Sequence, residues 1–373
     1  MIIAGEVSGD LHGAALITEL KKLDTDLKIY GIGGDKMQAA GMNIIYHINR
    51  MAFLGFVEVI RHLPFIKKVQ RQLLKFVKEN NIKNVVLIDY PGFNLSIAKK
   101  LKRLGVKIIY YISPQVWAWG TGRIKKIKNL VNKMLVVFPF EEELYKKAGI
   151  DVEFVGHPLP ERIDGYDFLT QDELFKKFSL DKSKELLLIL PGSRNHEVEK
   201  IFPVCIKAAE KIAGEFNLQI VAACSSNIDE NVFRKIADET SYKVVKDHTY
   251  DLMKYAKIGI VKSGTSTLEA GLFTLPMVIV YRTNYLTYLI GKNLVKLNKI
   301  GLANIVAGEK VVPELIQNDA SSDSIYKECR KILSDSELYN SIKEKLGCIR
   351  EKLETDGASR KAAQAVYAIV NET

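Results

Sequence analysis

The second half of the chain carries two segments whose residue types suit a phosphate group. Residues 190–194 read LPGSR and residues 262–269 read KSGTSTLE, and each segment joins an apolar run to a helical pattern. The small residues of the second segment are Ser263, Gly264 and Thr265. Backbone N–H groups at such a turn can hold a diphosphate, to which Arg194 would add a fork of donors. Glu269, about one helical turn further on, could accept hydrogen bonds from ribose hydroxyls.

A different use of these segments is a capped helix with no ligand. Two phosphate-type loops in the same half of the chain favour the ligand site over this alternative. A P-loop is excluded, because the chain lacks the pattern GxxxxGK[ST] at either junction.

The first half offers carboxylates instead. Asp89 stands in IDYPGFN, residues 88–94, at the end of a predicted buried strand, where it could act as a general base. On spacing alone, Asp89 could equally cap a helix that starts near Asn94. The first loop reads GEVSGDLHG over residues 5–13. Its two acids would repel a pyrophosphate, so a sugar-hydroxyl or acceptor site suits it better. The residues of that predicted site are Glu6, Ser8, Gly9 and Asp10.

The first loop also has a purely structural interpretation, which its residues alone favour. It would be a tight strand-to-helix turn with Ser8 or Asp10 as the N-cap.

Further along, SPQVWAWG at residues 113–120 holds both tryptophans of the chain, which suggests a lined pocket, although simple packing is an alternative. Ser113 and Trp117 are therefore candidate substrate contacts, whereas the basic residues from Arg123 onwards could be only a solvated face.

These loops need sheets to position them, and the sequence predicts two. Short runs rich in Val, Ile and Leu alternate with helix-length segments, which is typical of parallel sheets with crossover helices. A first strand is predicted at residues 1–4. The further predicted strands include Ile29–Ile32, Val85–Ile88, Lys107–Ile112, Met134–Val137, Leu186–Leu190, Gln219–Ala223, Ile258–Val261 and Met277–Val280. The predicted helices include Leu11–Leu23, Ile66–Asn80, Leu95–Leu104 and Phe202–Phe216.

The alternation pauses at residues 156–170, which we interpret as an interdomain linker. We therefore expect an N-terminal domain over residues 1–160 and a C-terminal domain over residues 161–350. Only helical patterns follow residue 321, and the last helix, about 351–373, is expected to pack back on the first domain. A length of 373 residues also favours two domains.

Composition narrows the class of protein. The four cysteines form no CxxC pair, so the sequence predicts neither a disulfide framework nor a zinc site. No apolar run is long enough to cross a bilayer and no secretory signal is recognisable, so we expect a cytoplasmic protein. The net charge of +10 suits partners that carry phosphate.

Taken together, the motifs resemble those of the lipid-A-disaccharide synthase family. In order along the chain they are GEVSGDLHGA, GFVEV, IDYPGFN, SPQVWAWG, FPFE, FVGHP, LPGSR and KSGTSTLE. The resemblance implies two Rossmann-like domains facing across a cleft, the GT-B fold, with C-terminal helices crossing back. It further implies that the domain over residues 1–160 binds the acceptor and that the domain over residues 161–350 binds the UDP-sugar. It also implies an inverting transfer from UDP-2,3-diacylglucosamine to 2,3-diacylglucosamine 1-phosphate (lipid X). The products would be a β-1,6-linked disaccharide 1-phosphate and UDP, and no metal or organic cofactor is expected.

The resemblance also assigns roles to single residues. Asp89 matches the catalytic base and Arg194 matches a residue near the donor phosphates. Substrate-binding positions are matched by Asn94, Ser263, Gly264, Thr265, Glu269, Arg282, Asn304 and Gln364. Two departures are Gly92, where some relatives have a second Asp, and Ala303, where Pro often precedes Asn304. The first would leave Asp89 to act alone.

Both expected substrates carry acyl chains, which suggests contact with the anionic inner membrane. Residues 53–68 are apolar with basic residues interleaved and could lie in the membrane interface or form an ordinary packed helix. Rival functions are the N-acetylglucosamine transferase of peptidoglycan synthesis and a UDP-N-acetylglucosamine 2-epimerase. A pI of 9.1 raises RNA binding as another class, but no nucleic-acid motif is present and no such partner is expected.

Overall fold

The computed structural model describes residues 1–50, 63–117, 122–237, 240–283 and 299–372. The chain divides into two compact units, Met1–Glu161 with Leu353–Thr373 (unit 1) and Arg162–Lys352 (unit 2). Most of the 53–68 segment, with the motif GFVEV, lies outside the described residues, as does Trp119.

Unit 1 is built on a parallel sheet with the strand order β3-β2-β1-β4-β5-β6-β7. Its strands are β1 (Ile2–Ala4), β2 (Tyr30–Gly33), β3 (Asn43–His47), β4 (Asn84–Ile88), β5 (Lys107–Tyr111), β6 (Lys133–Val136) and β7 (Val152–Phe154). Its helices are α1 (Val7–Leu23), α2 (Asp35–Ala39), α3 (Leu63–Glu79), α4 (Pro91–Lys102), α5 (Arg123–Leu130), α6 (Pro139–Lys147) and, at the C-terminus, α16 (Ala358–Asn371). A 3-10 turn, Ile48–Arg50, follows β3.

Strands β1 and β4 are direct neighbours, with Ile2 beside Val86 and Ala4 beside Ile88. On the other side of β1 the order runs back through β2 to β3, so the direction of winding reverses between β1 and β4. Loops that leave the carboxyl ends of two such strands diverge and open a crevice, which is where parallel α/β sheets bind ligands. In unit 1 these loops are residues 5–6 and 89–90.

Unit 2 repeats the arrangement with the strand order β10-β9-β8-β11-β12-β13. Its strands are β8 (Glu185–Leu190), β9 (Leu218–Cys224), β10 (Tyr242–Lys246), β11 (Ala256–Lys262), β12 (Met277–Tyr281) and β13 (Glu314–Ile316). Its helices are α8 (Gln171–Lys177), α9 (Asn195–Phe216), α10 (Asn231–Arg234), α11 (Thr249–Tyr255), α12 (Thr265–Leu272), α13 (Leu302–Ala307) and α14 (Ser322–Ser334). A 3-10 turn spans Gln317–Asp319.

Two further helices cross the boundary between the units in sequence, α7 (Pro158–Asp164) and α15 (Ser336–Leu353). Helix α7 lies within the stretch interpreted as a linker, so that stretch is partly helical. Its prolines stand at the start of the helix, where the missing N–H costs little, rather than marking irregular backbone. The C-terminal α16 belongs to unit 1, where Ser359 donates backbone and hydroxyl hydrogen bonds to Glu161.

The predicted fold class of two parallel-sheet α/β domains is confirmed. The central strands β1, β4, β5, β8 and β11 are almost wholly buried, which explains their unbroken apolar runs. The four edge strands β3, β7, β10 and β13 were missed because they keep polar or half-exposed residues. Several predicted helices begin too late, since their first turns contain Gly, Pro or charged residues without apolar periodicity.

Candidate functional site

The crevice of unit 1 brings the first loop and Asp89 together. The Tyr90 ring lies against Gly5 so closely that a Cβ at position 5 would overlap it. Asp89 and Tyr90 have φ values of 44° and 45°, a left-handed conformation that is uncommon for residues other than glycine. Ile112, after β5, has φ 61°. Strain of this kind clusters at functional sites, because the surrounding structure must hold it in place.

Hydrogen bonds to its backbone fix the Asp89 loop. The Asn94 side-chain amide donates to the carbonyl oxygens of Ile88 and Asp89 at 3.1 and 2.7 Å, and the Tyr110 hydroxyl donates to the Asp89 carbonyl at 2.6 Å. Asn94 is fully buried. Its amide nitrogen therefore shapes this loop, and the direct substrate contact that the resemblance implies stays a prediction.

The environment of the Asp89 carboxyl favours its protonated form. Burial, and then the nearby charge of Glu6, raise the pKa of Asp89 to about 6, against a backbone hydrogen bond from Tyr90 that lowers it. A carboxylate with a pKa just below neutral is ionised at pH 7 and still basic enough to accept a proton. The capping alternative is wrong, because α4 begins at Pro91 with Tyr90 as its N-cap and no side-chain cap.

Some residues of the first loop are exposed, whereas others are packed or hydrogen-bonded within the protein. Glu6 and Ser8 are exposed, whereas Gly9 is packed against Ala4. Neither Ser8 nor Asp10 caps α1, whose N-cap is Glu6. Asp10 is buried and accepts backbone hydrogen bonds from Gly34, Lys36 and Met37 at 2.7–3.1 Å. Both carboxylate oxygens accept hydrogen bonds at the start of α2, so Asp10 has a structural role, and its predicted substrate contact stays a prediction.

Ser113 and Trp117 share one buried acid that the sequence analysis assigned no role. The Glu141 carboxylate accepts the Ser113 hydroxyl at 2.6 Å and the Trp117 indole N–H at 3.0 Å. Burial raises the pKa of Glu141 to about 7, although both hydrogen bonds lower it. Glu141 stands in the motif FPFE, and an acid directly after two aromatic residues and a proline was the available signal. The trio fixes the conformation of the loop after β5.

The crevice of unit 2 lies between the loops that follow β8 and β11, and both predicted phosphate segments occupy it. Arg194 is the exposed N-cap of α9. Glu197, one turn into α9, accepts the Ser193 N–H at 3.0 Å and pairs with Lys262 at 2.9 Å. Burial acts to raise the pKa of Glu197, but Lys262 and the other partners together lower it. The Glu197 carboxylate thus binds an N–H group and an ammonium group of the kind that can also bind phosphate.

The second segment opens α12. Gly264 is its N-cap, Thr265 is exposed at the first helical position, and the Ser263 hydroxyl donates to the Ile300 carbonyl at 2.9 Å. The N–H groups of Thr265 and Ser266, at the start of α12, have no acceptor within the helix, whereas the Thr267 N–H donates to the Gly264 carbonyl at 3.1 Å. Glu269 lies one turn further on, and its Oε1 accepts hydrogen bonds from Arg162 at 2.6 Å and from the Tyr250 hydroxyl at 3.0 Å.

The remaining predicted contact residues differ in exposure and in the hydrogen bonds that their side chains already make. Arg282 is half-buried directly after β12, and Gln364 is exposed on α16 in unit 1. Asn304 is fully buried, and its side chain makes four hydrogen bonds, to Val311, to Val312 twice and to Glu314. Its donors and acceptor are therefore saturated. The Asn304 side chain therefore has a structural role, and its contact with nucleotide stays a prediction.

No group of three His, Cys, Asp or Glu side chains in the described ranges could hold a metal ion. Within the same ranges, no helix combines the length and apolar character needed to cross a membrane.

Comparison with known proteins gives one consistent match. The sequence profile of the lipid-A-disaccharide synthetase family matches residues 1–370. The lipid-A-disaccharide synthase of Geobacter sulfurreducens is 41% identical over 375 residues, which cover 100% of this chain and 97% of the relative.

Similar solved structures extend over the whole chain. The UDP-GlcNAc 2-epimerase of Neisseria meningitidis bound to UDP-GlcNAc has a TM-score of 0.65 at 11% identity, covering 100% of this chain and 99% of that one. The calicheamicin glycosyltransferase CalG4 has a TM-score of 0.61 at 15% identity, covering 100% and 97%. Because these identities are low, the similar structures establish the fold alone, which is the two-domain GT-B fold.

Proposed function

The chain belongs to the lipid-A-disaccharide synthetase family, and on that basis we propose that it catalyses formation of the lipid A disaccharide. The reaction transfers 2,3-diacylglucosamine from UDP to the C6 hydroxyl of 2,3-diacylglucosamine 1-phosphate. The epimerase and peptidoglycan alternatives are not favoured, because full-length identity of 41% is to a lipid-A-disaccharide synthase, while the similar epimerase structure is 11% identical.

Unit 2 is proposed to bind the donor through its UDP group. Arg194 and the N–H groups that begin α12 would contact the diphosphate, and Glu269 would accept the ribose hydroxyls. The support is topological as well as chemical, since both segments follow the two strands at which the winding of the sheet reverses. Replacement of Glu269 by Ala should clearly weaken UDP binding in titration calorimetry, whereas unchanged affinity would remove the ribose contact.

Unit 1 is proposed to supply the base. The acceptor C6 oxygen forms a bond to the anomeric carbon of the donor, and the bond from that carbon to the diphosphate oxygen breaks. The hydroxyl proton passes to the Asp89 carboxylate, and the departing electron pair leaves with UDP, so the configuration inverts. The observation that carries this assignment is the raised pKa of Asp89, about 6, in a strained loop beside the exposed Glu6.

Negative charge accumulates on the departing diphosphate and must be stabilised as it forms. Arg194 and a helix N-terminus are preorganised donors for such charge. Incubation of the protein with UDP-diacylglucosamine and lipid X, followed by mass spectrometry, should show the disaccharide 1-phosphate and UDP. Incubation with UDP-N-acetylglucosamine alone tests the rival activity, and the appearance of its 2-epimer would contradict this proposal.

We also propose that unit 1 docks on an anionic membrane surface through helices α3, α4 and α5. Helix α4 packs against both of the others. The exposed cations of the three helices are Lys67, Lys68, Arg71, Lys75, Lys78, Lys99, Lys102, Arg123, Lys125, Lys126 and Lys128. One carboxylate, Glu79, accompanies these eleven cations. The excess of positive over negative charge on this face is therefore comparable to the net charge of the whole chain, +10.

Anionic lipid attracts each Lys or Arg near its surface by about 1 kcal/mol. Removal of one cation from each helix (Arg71→Gln, Lys99→Gln, Lys125→Gln) should therefore weaken co-sedimentation with phosphatidylglycerol vesicles by roughly a hundredfold. The matched control removes three exposed lysines of unit 2, Lys327, Lys331 and Lys343. Equal loss in both triple variants would mean that net charge, rather than this face, drives binding.

Solution conditions separate this docking from other binding. Zwitterionic vesicles should bind weakly, and salt should weaken binding to the anionic ones. A duplex or single-stranded RNA that competed with anionic vesicles at physiological salt would favour the nucleic-acid alternative.

A further inference from the structure

Arg162, Tyr250 and Glu269 form one hydrogen-bonded cluster in unit 2. The Arg162 guanidinium donates to the Tyr250 hydroxyl from Nε at 2.7 Å and also from Nη2, which in turn donates to Glu269 Oε1 at 2.6 Å. The Tyr250 hydroxyl donates to the same Glu269 oxygen at 3.0 Å. The three residues come from helices α7, α11 and α12, so the cluster depends on the tertiary fold of the unit.

The cluster is held on a rigid base. The Tyr250 ring contacts the rings of Tyr166 and Phe273, with centroids 5.2 and 5.7 Å away, and the Arg162 guanidinium lies 5.4 Å from its centroid. Burial, followed by the charge of Glu269, raises the pKa of Tyr250. The hydroxyl therefore stays protonated at neutral pH and can donate to the carboxylate.

The two hydrogen bonds to Glu269 fall on the same oxygen. Within the part of the chain that the structure describes, no side chain or backbone N–H donates to Oε2 of Glu269. An ionised carboxylate has about four acceptor positions over its two oxygens, so Oε2 keeps its capacity for a ligand. The carboxylate is thus oriented at one end and open at the other.

Charge gives the cluster a second effect. Glu269 lies four residues after Thr265, so its Cβ is roughly 6 Å from that of the first helical residue. A lone carboxylate at that position would repel a diphosphate bound at the start of α12. Arg162 pairs with it and offsets its charge, while the hydrogen-bonding capacity of Oε2 remains.

We propose that Arg162 and Tyr250 are positioning residues that hold Glu269 for the ribose hydroxyls of the nucleotide. This inference rests on the proposed function, in which unit 2 binds UDP. It adds that selectivity for a ribonucleotide depends on two residues that do not themselves need to touch the sugar.

The experiment compares UDP with 2′-deoxy-UDP by titration calorimetry. Wild type should bind UDP roughly tenfold more tightly, because the deoxynucleotide lacks one hydroxyl that hydrogen-bonds to a charged group. Arg162→Met and Tyr250→Phe should each weaken UDP binding while changing deoxy-UDP binding less, so the ratio of the two affinities falls towards one. Arg162→Lys should lie between these and wild type, since it keeps the charge and loses the fork.

The matched control is Arg350→Met. Arg350 pairs with Asp164, which lies on helix α7, as Arg162 does. The side chains of Arg350 and Arg162 are both 35% exposed. This variant should keep the UDP to deoxy-UDP ratio, even if its melting temperature falls.

The outcomes separate the two proposals. Equal binding of both nucleotides by wild type would overturn the ribose role of Glu269 itself. A wild type that discriminates, with Arg162→Met and Tyr250→Phe that discriminate equally well, would overturn the positioning role alone. A proportional loss of affinity for both nucleotides in these variants would also overturn it, since a merely structural cluster predicts that result.

Discussion

In both units the winding of a parallel sheet reverses between two central strands, β1 and β4 in unit 1 and β8 and β11 in unit 2. The loops that leave these strands differ in chemistry. In unit 1 they present Glu6 and Asp89, whose carboxylates raise the proton affinity of the site. In unit 2 they present Arg194, Lys262 and a helix N-terminus. One topology thus presents carboxylates in one unit and cationic donors in the other.

The difference indicates that the sheet topology determines where these loops lie, while the loop residues determine the charge that a ligand would meet there. An acidic crevice disfavours a diphosphate and suits hydroxyl groups that give up or share protons. A cationic crevice with free N–H groups does the opposite. Substitutions of Asp89, Arg194, Glu197 and Glu6 test this division.

Asp89→Asn should lower turnover by roughly 10²- to 10⁴-fold, because Asn keeps the shape of Asp but cannot accept the proton. UDP affinity should change little, since the proposed nucleotide site belongs to unit 2. Steady-state kinetics and calorimetry on the same preparation measure both. Turnover within a few-fold of wild type in a folded variant would leave the acidic crevice without a catalytic role.

Arg194→Gln should weaken UDP binding by about tenfold to a hundredfold, as expected for the loss of a hydrogen bond between charged groups. The affinity for UMP should fall less if Arg194 contacts the second phosphate. The control is Arg330→Gln, an exposed arginine of unit 2 on α14. An equal effect of the two variants would place the diphosphate elsewhere.

Glu197→Gln should act in the opposite direction and strengthen UDP binding several-fold. The substitution removes a negative charge from the cationic crevice and frees Lys262 from its ion pair. Calorimetry at low and high salt should show the gain shrinking as salt screens the charges. Weaker binding by this variant would indicate that the Glu197 carboxylate, held by Ser193 and Lys262, shapes the loop for its ligand.

Glu6→Gln should move the acid limb of the pH–rate profile to lower pH, by less than about one pH unit. The charge of Glu6 raises the pKa of Asp89, so its removal must lower that pKa. Asp89 is then ionised over a wider range and the enzyme stays active in more acidic solution. An unmoved limb would show that the two acids do not interact.

The sequence predicted the fold well because the central strands are buried on both faces. Their runs of Val, Ile and Leu needed no tertiary information, whereas β3 and β13 combine polar residues with partial exposure and carry no such signal. The order of the motifs also placed Asp89 and residues 263–265 at the carboxyl ends of strands.

The hydrogen-bond partners of the site side chains could not be predicted, because those partners lie on segments that are distant in sequence. Asp10 is bound by N–H groups 24 to 27 positions away, and Arg162 reaches Tyr250 and Glu269 across 88 and 107 positions. Asn304 is a similar case at shorter range, because the backbone of the loop that follows α13 occupies it. A motif identifies such residues as special without showing whether backbone or substrate is their partner.

The pH dependence of kcat/KM for wild type and Asp89→Asn tests the role of Asp89 most directly. If Asp89 with a pKa of about 6 is the base, wild-type kcat/KM should rise tenfold per pH unit below pH 6 and level off above it. The phosphate of the acceptor also titrates near pH 6, so only a limb that disappears in Asp89→Asn belongs to this carboxylate. We predict that the variant is slow and that this limb is absent from its profile. A variant that kept the same limb with nearly wild-type rates would contradict the assignment of proton transfer to unit 1.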